Sequence, residues 1–406
     1  MAREMKDSGI EWIGEIPSNW GVHSAKYHID IENGSDPKTE GSIPVYGSGT
    51  NSFKTCGEYK EGPAVLVGRK GSIDNPRYIE HRFWNVDTAF NVKAKNGFLL
   101  RYYYYLALSF DYKYYISQTT LPSMTQTNYE NMSIPVPSFD KQKIIASFLD
   151  SRCAEIDKAV EATKASIEEY KKLRQAIITE AVTKGLDPDV EMKDSGIEWI
   201  GEIPISWTIN TLGRLSSSMR NGYVGPTKEI LRESGVRYIQ SLHVKDGQIL
   251  YSDDFYVSEE WGNNHPKIHT NDILIVQTGD IGQVGLVTND YNECNCHALI
   301  ICTPKQTIIS SAYLCYYFRS SFGLRQLKQF ETGATLKHLN SGDIKFSKVI
   351  LPSLDEQIEI CSYLDTKCAE IDSLIKSKEK LIEELTAYRK SLIFEYVTGK
   401  KEVPAV

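Results

Sequence analysis

Two internal repeats with different offsets constrain this chain more than any local motif does. The thirteen residues MKDSGIEWIGEIP at Met5–Pro17 return unchanged at Met192–Pro204, 187 positions later. LDSRCAEID at Leu149–Asp157 returns as LDTKCAEID at Leu364–Asp372, 215 positions later. The chain is therefore two copies of one plan, and the second copy carries 28 more residues between its short motif and its later repeat.

The later repeat lies inside a helical pattern running from Asp140 to Thr183. Ile145, Leu149, Ile156, Val160, Ile167, Leu173 and Ile177 recur at heptad-like separations, with Lys, Glu, Asp and Arg between them. The copy that begins near Asp355 offers Leu364, Ile371, Ile375, Ile382, Tyr388 and Leu392 at matched positions. A helix of about 40 residues spans on the order of 60 Å. Two such helices with apolar seams predict an antiparallel coiled coil. Cys153 and Cys368 sit at matched places on them, where a buried thiol packs as a small hydrophobe.

Each copy runs in the order short motif, globular segment, long helix. The expected divisions are a motif at 1–19, a globular domain at 20–137, a helix at 138–185, a linker with the second motif at 186–206, a second globular domain at 207–352, a helix at 353–399 and a tail at 400–406. The first helix feeds into the second motif, whereas no motif follows the second helix. The N-terminal motif is expected to supply that piece in space, closing a ring-like object with an approximate twofold axis. Trp12, Ile13, Trp199 and Ile200 are apolar residues in short polar segments and need a surface to bury against.

Both globular segments mix strand and helix signals, so the fold class is α+β, with two mixed α/β domains separated by the helices. Ile43–Gly47 and Ala64–Ile73 look like strands ending in Gly-rich turns, and Tyr102–Phe110 looks helical. Val236–Gln240, Asp272–Gly282 and Ala312–Phe322 follow the same grammar. Pro137-Ser138 and Pro352-Ser353 mark the entries to the long helices.

The net charge is −7, which at first argues against a nucleic-acid partner, but it is unevenly spread. Both globular segments are near neutral and the acidity lies in 186–207 and 351–406, so locally basic faces are compatible with it. No apolar run reaches the roughly 20 residues that span a bilayer, and Met1–Trp20 holds no signal-like run, so a soluble cytoplasmic protein is expected.

Catalytic constellations are weak. DNPRY at Asp74–Tyr78 resembles the target-base loop of amino-methyltransferases, but Arg77 replaces the second proline and no Gly-rich turn for a methyl donor precedes it. Pro188, Asp189, Glu191 and Lys193 have nuclease-type residues at the wrong spacing. Gly279, Gly282 and Gly285 read as a turn between strands rather than a dinucleotide loop. Cys294, Cys296 and His297 lack the second half of a zinc site, so no metal is expected. One paired feature stands out. RKGSI at Arg69–Ile73 aligns with QTGDI at Gln277–Ile281, setting Gly71 opposite Gly279 after similar apolar strands. Such a glycine permits close approach to a phosphate while flanking side chains reach base edges; the plainer reading is a hairpin turn.

Together the two SGIEWIGEIP motifs, RKGSI, the PS-x-x-x-Q-x-x-I helix entries at Pro137–Ile145 and Pro352–Ile360, and the helix ends ITEAVTKG and IFEYVTGK resemble the specificity subunit of type I restriction-modification systems. The resemblance covers essentially the whole chain. It implies a non-catalytic reader of double-stranded DNA whose two target recognition domains each bind one half of a bipartite, asymmetric site. It also implies helices that set the half-site spacing and dock two methyltransferase subunits. S-adenosylmethionine is expected on those partners and no cofactor on this chain; restriction or translocase subunits would join through the complex, and no membrane is involved. Candidate DNA contacts are Lys54, Arg69, Lys70 and Arg77 in the first domain, and Gln240, Lys245, Gln277, Lys337 and His338 in the second. Two rival readings are a dimerising scaffold that binds protein or sugar, and a single-chain enzyme that methylates or cleaves DNA. Salt-sensitive, sequence-selective DNA binding discriminates against the first, and failure of the isolated chain to transfer a labelled methyl group discriminates against the second.

Overall fold

The computed structural model describes residues 3–116, 122–252, 254–333 and 337–404. It divides into two compact units that do not follow chain order: Met1–Lys164 together with Lys378–Val406, and Ala165–Ser377. Two helices run through this division, Phe139–Lys184 with 46 residues and Leu354–Val397 with 44. Each helix gives one part of its length to each unit.

In the first unit a four-stranded antiparallel sheet has the spatial order Ile29–Glu32, Ala89–Ala94, Ala64–Gly68, Arg77–Ile79. The second unit repeats this with Ser216–Asn221, Leu299–Pro304, Ile273–Val276 and Val284–Leu286. Both central strands, Ala64–Gly68 and Ile273–Val276, are buried along their whole length, as strands covered on both faces must be. A parallel pair flanks each sheet: Val45 and Tyr46 against Trp84 and Asn85, and Tyr238 and Ile239 against Asn295 and Cys296. Part of the second copy's extra length is spent between these elements, on the hairpin Val244–Lys245 with Gln248–Ile249 and the helix Glu259–Asn263. Cys294 and Cys296 point into a small apolar core here with Ile239, Val244 and Ile268, and His297 bonds the Tyr238 hydroxyl at 3.1 Å.

Each globular segment enters and leaves on adjacent strands, Gly21–Ser24 with Ser133–Val136 and Thr208–Thr211 with Lys348–Leu351. The chain thus returns to the base of the segment before its long helix starts. The helix entry is pinned by a buried glutamine. Gln142 accepts a bond from the Leu99 N–H at 2.8 Å and donates to the Pro137 carbonyl at 3.0 Å. Gln357 does the same with the Ser310 N–H at 2.8 Å and the Pro352 carbonyl at 3.0 Å. In both copies the amide caps the helix of the globular segment, Leu100–Ser109 or Ser311–Arg319, with a residue of the long helix.

The short motifs bury their apolar side chains against helix ends. Ile10, Ile13 and Ile16 share the first core with Leu392, Ile393, Tyr396 and Val397 of the second long helix. Arg3 donates to the Gly399 carbonyl at 2.5 Å and Lys400 to the Glu15 carbonyl at 3.3 Å. The second motif places Ile200 and Ile203 with Ile178, Ala181 and Val182 of the first long helix. The N-terminal motif therefore packs on the end of the second helix as the second motif packs on the end of the first. Trp12 and Trp199 are partly buried, Trp12 edge-on to Phe110 and Trp199 against Phe322.

Within each unit the two helical portions run antiparallel. In the first, Lys141 pairs with Glu402 at 2.8 Å, Phe148 packs on Tyr396, and Arg389 meets Asp157 at 3.0 Å. In the second, Arg174 meets Asp372 at 2.7 Å. Ile145, Leu149, Ile156, Ile167, Leu364, Ile371, Ile375 and Leu392 are buried; Val160, Ile177 and Ile382 are partly so. Leu173 and Tyr388 depart from the expected seam, standing 48% and 56% exposed. Leu173 lies six residues beyond Ile167, which at 100° per residue turns it about 120° from that residue's face. The half-buried residues there are Tyr170 and Arg174 in one helix, and Leu385 and Arg389 in the other.

Candidate functional site

The strand Ala64–Gly68 leaves the first core at Arg69. A side chain on Gly68 would run into the backbone of Ser72 and Ile73, and Gly71 adopts a φ of +81°, so the RKGSI turn folds back tightly on itself. The Ile73 N–H closes it on the Gly71 carbonyl at 2.9 Å. A second segment is tied to this turn: the Gly71 N–H donates to the Pro122 carbonyl at 3.0 Å, the Met124 N–H to the Arg69 carbonyl at 2.9 Å, and Lys70 bridges Ser123. An open cleft of about 410 Å³ lies between them, lined by Arg69, Lys70, Phe90, Ser123, Thr125 and Thr127 among others.

The charged groups at this turn are unneutralised. Arg69 reaches toward the Phe90 ring, 6.0 Å from its centroid, and touches the Asp87 carbonyl at 3.4 Å; neither it nor Lys70 makes an ion pair among the described residues. The loop after Ile43–Tyr46 lies close by, since a Cβ at Gly71 would sit 3.4 Å from the Ser48 hydroxyl, and Asn75 holds Thr50 at 3.2 Å. Lys54, exposed beyond that loop, rests its ammonium 5.5 Å from the Phe53 ring. Arg77 behaves differently. It turns inward, donates to the Gly47 carbonyl and lies over Tyr46 at 5.1 Å, and burial lowers its pKa. It buttresses the loop instead of presenting a charge to solvent.

The second unit builds the same junction from other side chains. Gly279 has a φ of +84°, the Ile281 N–H closes the turn on its carbonyl at 3.0 Å, and the chain continues into Val284–Leu286, so the three spaced glycines belong to a hairpin. Thr278 bridges His338, and the Leu339 N–H donates to the Gln277 carbonyl at 2.9 Å. His338 also bridges Thr332, with the hydroxyl 3.2 Å from its Nε2. Lys337 is exposed and pairs with Glu331 at 3.1 Å.

Gln277, Lys337 and His338 are thus brought together, as are Arg69 and Lys70 with Ser123. Gln240 follows Val236–Ile239 as Gly47 follows Ile43–Tyr46, and its side chain is taken by the backbone of His243. Lys245 is exposed on the added hairpin. Thr120, Leu121, Thr335 and Leu336, which the two copies share by alignment, lie outside the described residues. Sequence reasoning passes over Ser48, Thr50, Ser123, Thr125 and Thr127. The Gly-Ser-Gly-Thr-Asn-Ser run from Gly47 to Ser52 is the signal that points to the first two, because a polar loop beside a Gly turn offers hydrogen bonds without a competing core. Among the described residues no group of three or more His, Cys, Asp or Glu is arranged to hold a metal ion, and no helix is long and apolar enough to cross a membrane.

Comparison with known proteins gives a consistent result. The family model described as type I restriction modification DNA specificity domain matches residues 24–169 and 204–387. The EcoBI type I restriction enzyme specificity subunit of Escherichia coli is 28% identical over 297 residues, covering 70% of this chain and 61% of that protein. The MjaVIII specificity subunit of Methanocaldococcus jannaschii is 23% identical over 358 residues, covering 84% and 76%. A solved chain from work on complex assembly and conformational transition of the type I R-M system superposes with a TM-score of 0.70 at 14% identity, over 95% of this chain and 99% of that one. That likeness shows the shared fold: two mixed α/β segments with a long central and a long C-terminal helix.

Proposed function

Taking as premise that the chain belongs to the type I restriction modification DNA specificity family, we propose that it is the non-catalytic DNA-reading subunit of such a system, each unit reading one half of a bipartite site. One observation carries this reading. Both units tie a Gly-centred turn to a second polar segment in the same register, Lys70 with Ser123 and Thr278 with His338, while the side chains differ. The shared backbone suits phosphate approach, and the differing side chains suit two different base sequences.

The long helices act as the spacer between half-sites in this reading, and they carry the docking sites for two methyltransferase subunits. Their first turns support the second role: Phe139 and Ile144 are 40% and 49% exposed, and Leu354 and Ile358 are 36% and 61% exposed. S-adenosylmethionine belongs to the partners, and restriction or translocase subunits join through them.

Sequencing methylated bases in host DNA with and without this chain tests the proposal. A two-part motif should appear only with the chain; no change in methylation would overturn it. Within the assembled complex, the double variant Arg69→Ala, Lys70→Ala should weaken binding to all sequences and flatten the salt dependence by about 0.9 in log–log slope for each phosphate no longer neutralised. Gln277→Ala should instead cost about 1–3 kcal/mol of discrimination confined to one half-site.

A further inference from the structure

The two units share a tyrosine–carboxylate pair in unlike surroundings. Tyr105 donates to Asp150 at 2.6 Å, and Tyr316 to Asp365 at 2.6 Å. The correspondence of the two helices is fixed by further hydrogen bonds. The Tyr102 hydroxyl lies 3.1 Å from the Pro135 carbonyl and 2.9 Å from that of Val397; the Tyr313 hydroxyl lies 3.0 Å from Ile350 and 3.3 Å from Val182. Leu99 and Ser310 both give their N–H to the buried glutamines. Arg101 therefore corresponds to Ala312, and Tyr104 to Cys315. The sheet registers, Val65 with Tyr78 and Ile273 with Leu286, make Tyr78 correspond to Leu286.

In the first unit large residues occupy the place. The Arg101 guanidinium bonds Asp150 at 2.6 Å and lies 4.4, 5.1 and 5.5 Å from the ring centres of Tyr78, Tyr104 and Tyr105. In the second unit all three positions are smaller, and a cavity of about 430 Å³ opens there, lined by Leu286, Ala312, Cys315, Tyr316, Arg319 and Asp365 among others. Asp290 adds a second carboxylate to its wall, and the added hairpin contributes Gly247 to Ile249. Arg319 lies over the Tyr316 ring at 4.9 Å but makes no ion pair with Asp365 among the described residues.

We propose that this cavity binds a guanidinium group from outside the chain, paired with Asp365 as Arg101 is paired with Asp150. A planar guanidinium can bond a carboxylate through two parallel N–H groups, a geometry that a compact ammonium does not match. The volume lies within the roughly 300–1,000 Å³ of small-ligand sites. The assignment is independent of the DNA-reading proposal.

Agmatine titrated calorimetrically into the purified full chain tests this. One saturable site is expected, weakened at least tenfold in Asp365→Asn and lost in Ala312→Arg, which supplies the guanidinium from within. Arg101→Ala should create a second agmatine site, and agmatine should restore the melting temperature which that variant loses. This second readout keeps the test decisive if Ala312→Arg folds poorly. Absence of saturable binding to the wild-type chain, undiminished binding to a folded Ala312→Arg chain, or equally tight binding of 1,5-diaminopentane would each overturn the proposal. A Gly-Arg-Gly peptide separates the sources: tighter binding than agmatine assigns the site to an arginine of a protein partner, and weaker binding to a free small molecule.

Discussion

At the scale of single residues, stability rests on polar groups that the folded chain satisfies once and has no second way to satisfy. Gln142 and Gln357 are 1% and 0% exposed, and each serves a part-buried N–H and a buried carbonyl. Gln142→Leu and Gln357→Leu should each cost about 1–3 kcal/mol per stranded group, read as a lower urea midpoint. His243 is another such residue. It is fully buried, its Nδ1 accepts the Gln240 N–H at 2.9 Å, and its Nε2 faces Asp254 at 3.1 Å. Acceptance at Nδ1 requires the neutral ring, and burial lowers its pKa against the opposing pull of Asp254. The unfolded chain then takes up the proton first. This contribution to stability is complete above about pH 6.5 and declines as pH falls through that value toward the lower folded-state pKa. Urea midpoints should fall between pH 7.5 and 5.5, and His243→Asn should flatten that slope while lowering stability at pH 7.5. His297, in the same unit and also lowered by burial, acts in the same direction and leaves a residual slope.

At the scale of elements, the long helices show what a sequence reveals and where period reading slips. Their existence, extent and matched Cys153 and Cys368 are legible because an apolar seam repeated at a fixed offset fits little but a pair of matched helices. Their seam fails at one level because Leu173 and Tyr388 are apolar yet lie off the face, while the residues on it, Arg174 and Arg389, carry charges that meet Asp372 and Asp157. An arginine stem lies along an apolar seam while its head finds a carboxylate, so hydrophobicity alone misplaces it. Leu173→Ala and Tyr388→Ala should therefore shift stability by less than about 0.5 kcal/mol, whereas Ile156→Ala and Ile371→Ala should cost about 2–5 kcal/mol. Equal effects in chemical denaturation would put Leu173 and Tyr388 back in the seam. Turn junctions are legible for a similar reason: glycine at positive φ after a buried strand leaves a mark in both copies. What each turn touches is not, because Ser123 and His338 arrive from more than 50 residues away with no local pattern announcing them.

At the scale of the whole molecule, the order of the elements assembles the first unit from Met1–Lys164 and Lys378–Val406. Ile10, Ile13 and Ile16 bury with Leu392, Ile393, Tyr396 and Val397, so each end covers apolar surface that the other leaves open. The second unit needs neither end, since its motif and helix portions are all internal to Ala165–Ser377. The order of elements makes this closure readable: the first helix runs directly into the second motif, and the first motif packs on the end of the second helix. Deleting residues 1–17 should therefore raise amide exchange in the last turns of the second helix, around Leu392–Val397, and in the first core at Tyr102. Exchange around Tyr313 and Ile178 should stay near its original rate, because stability is distributed over cooperative units and not over the chain as a string. Hydrogen-exchange mass spectrometry separates the cases. Uniform acceleration throughout the chain would mean that the two units unfold as one, and unchanged exchange at Leu392–Val397 would mean that the motif does not cover the helix end.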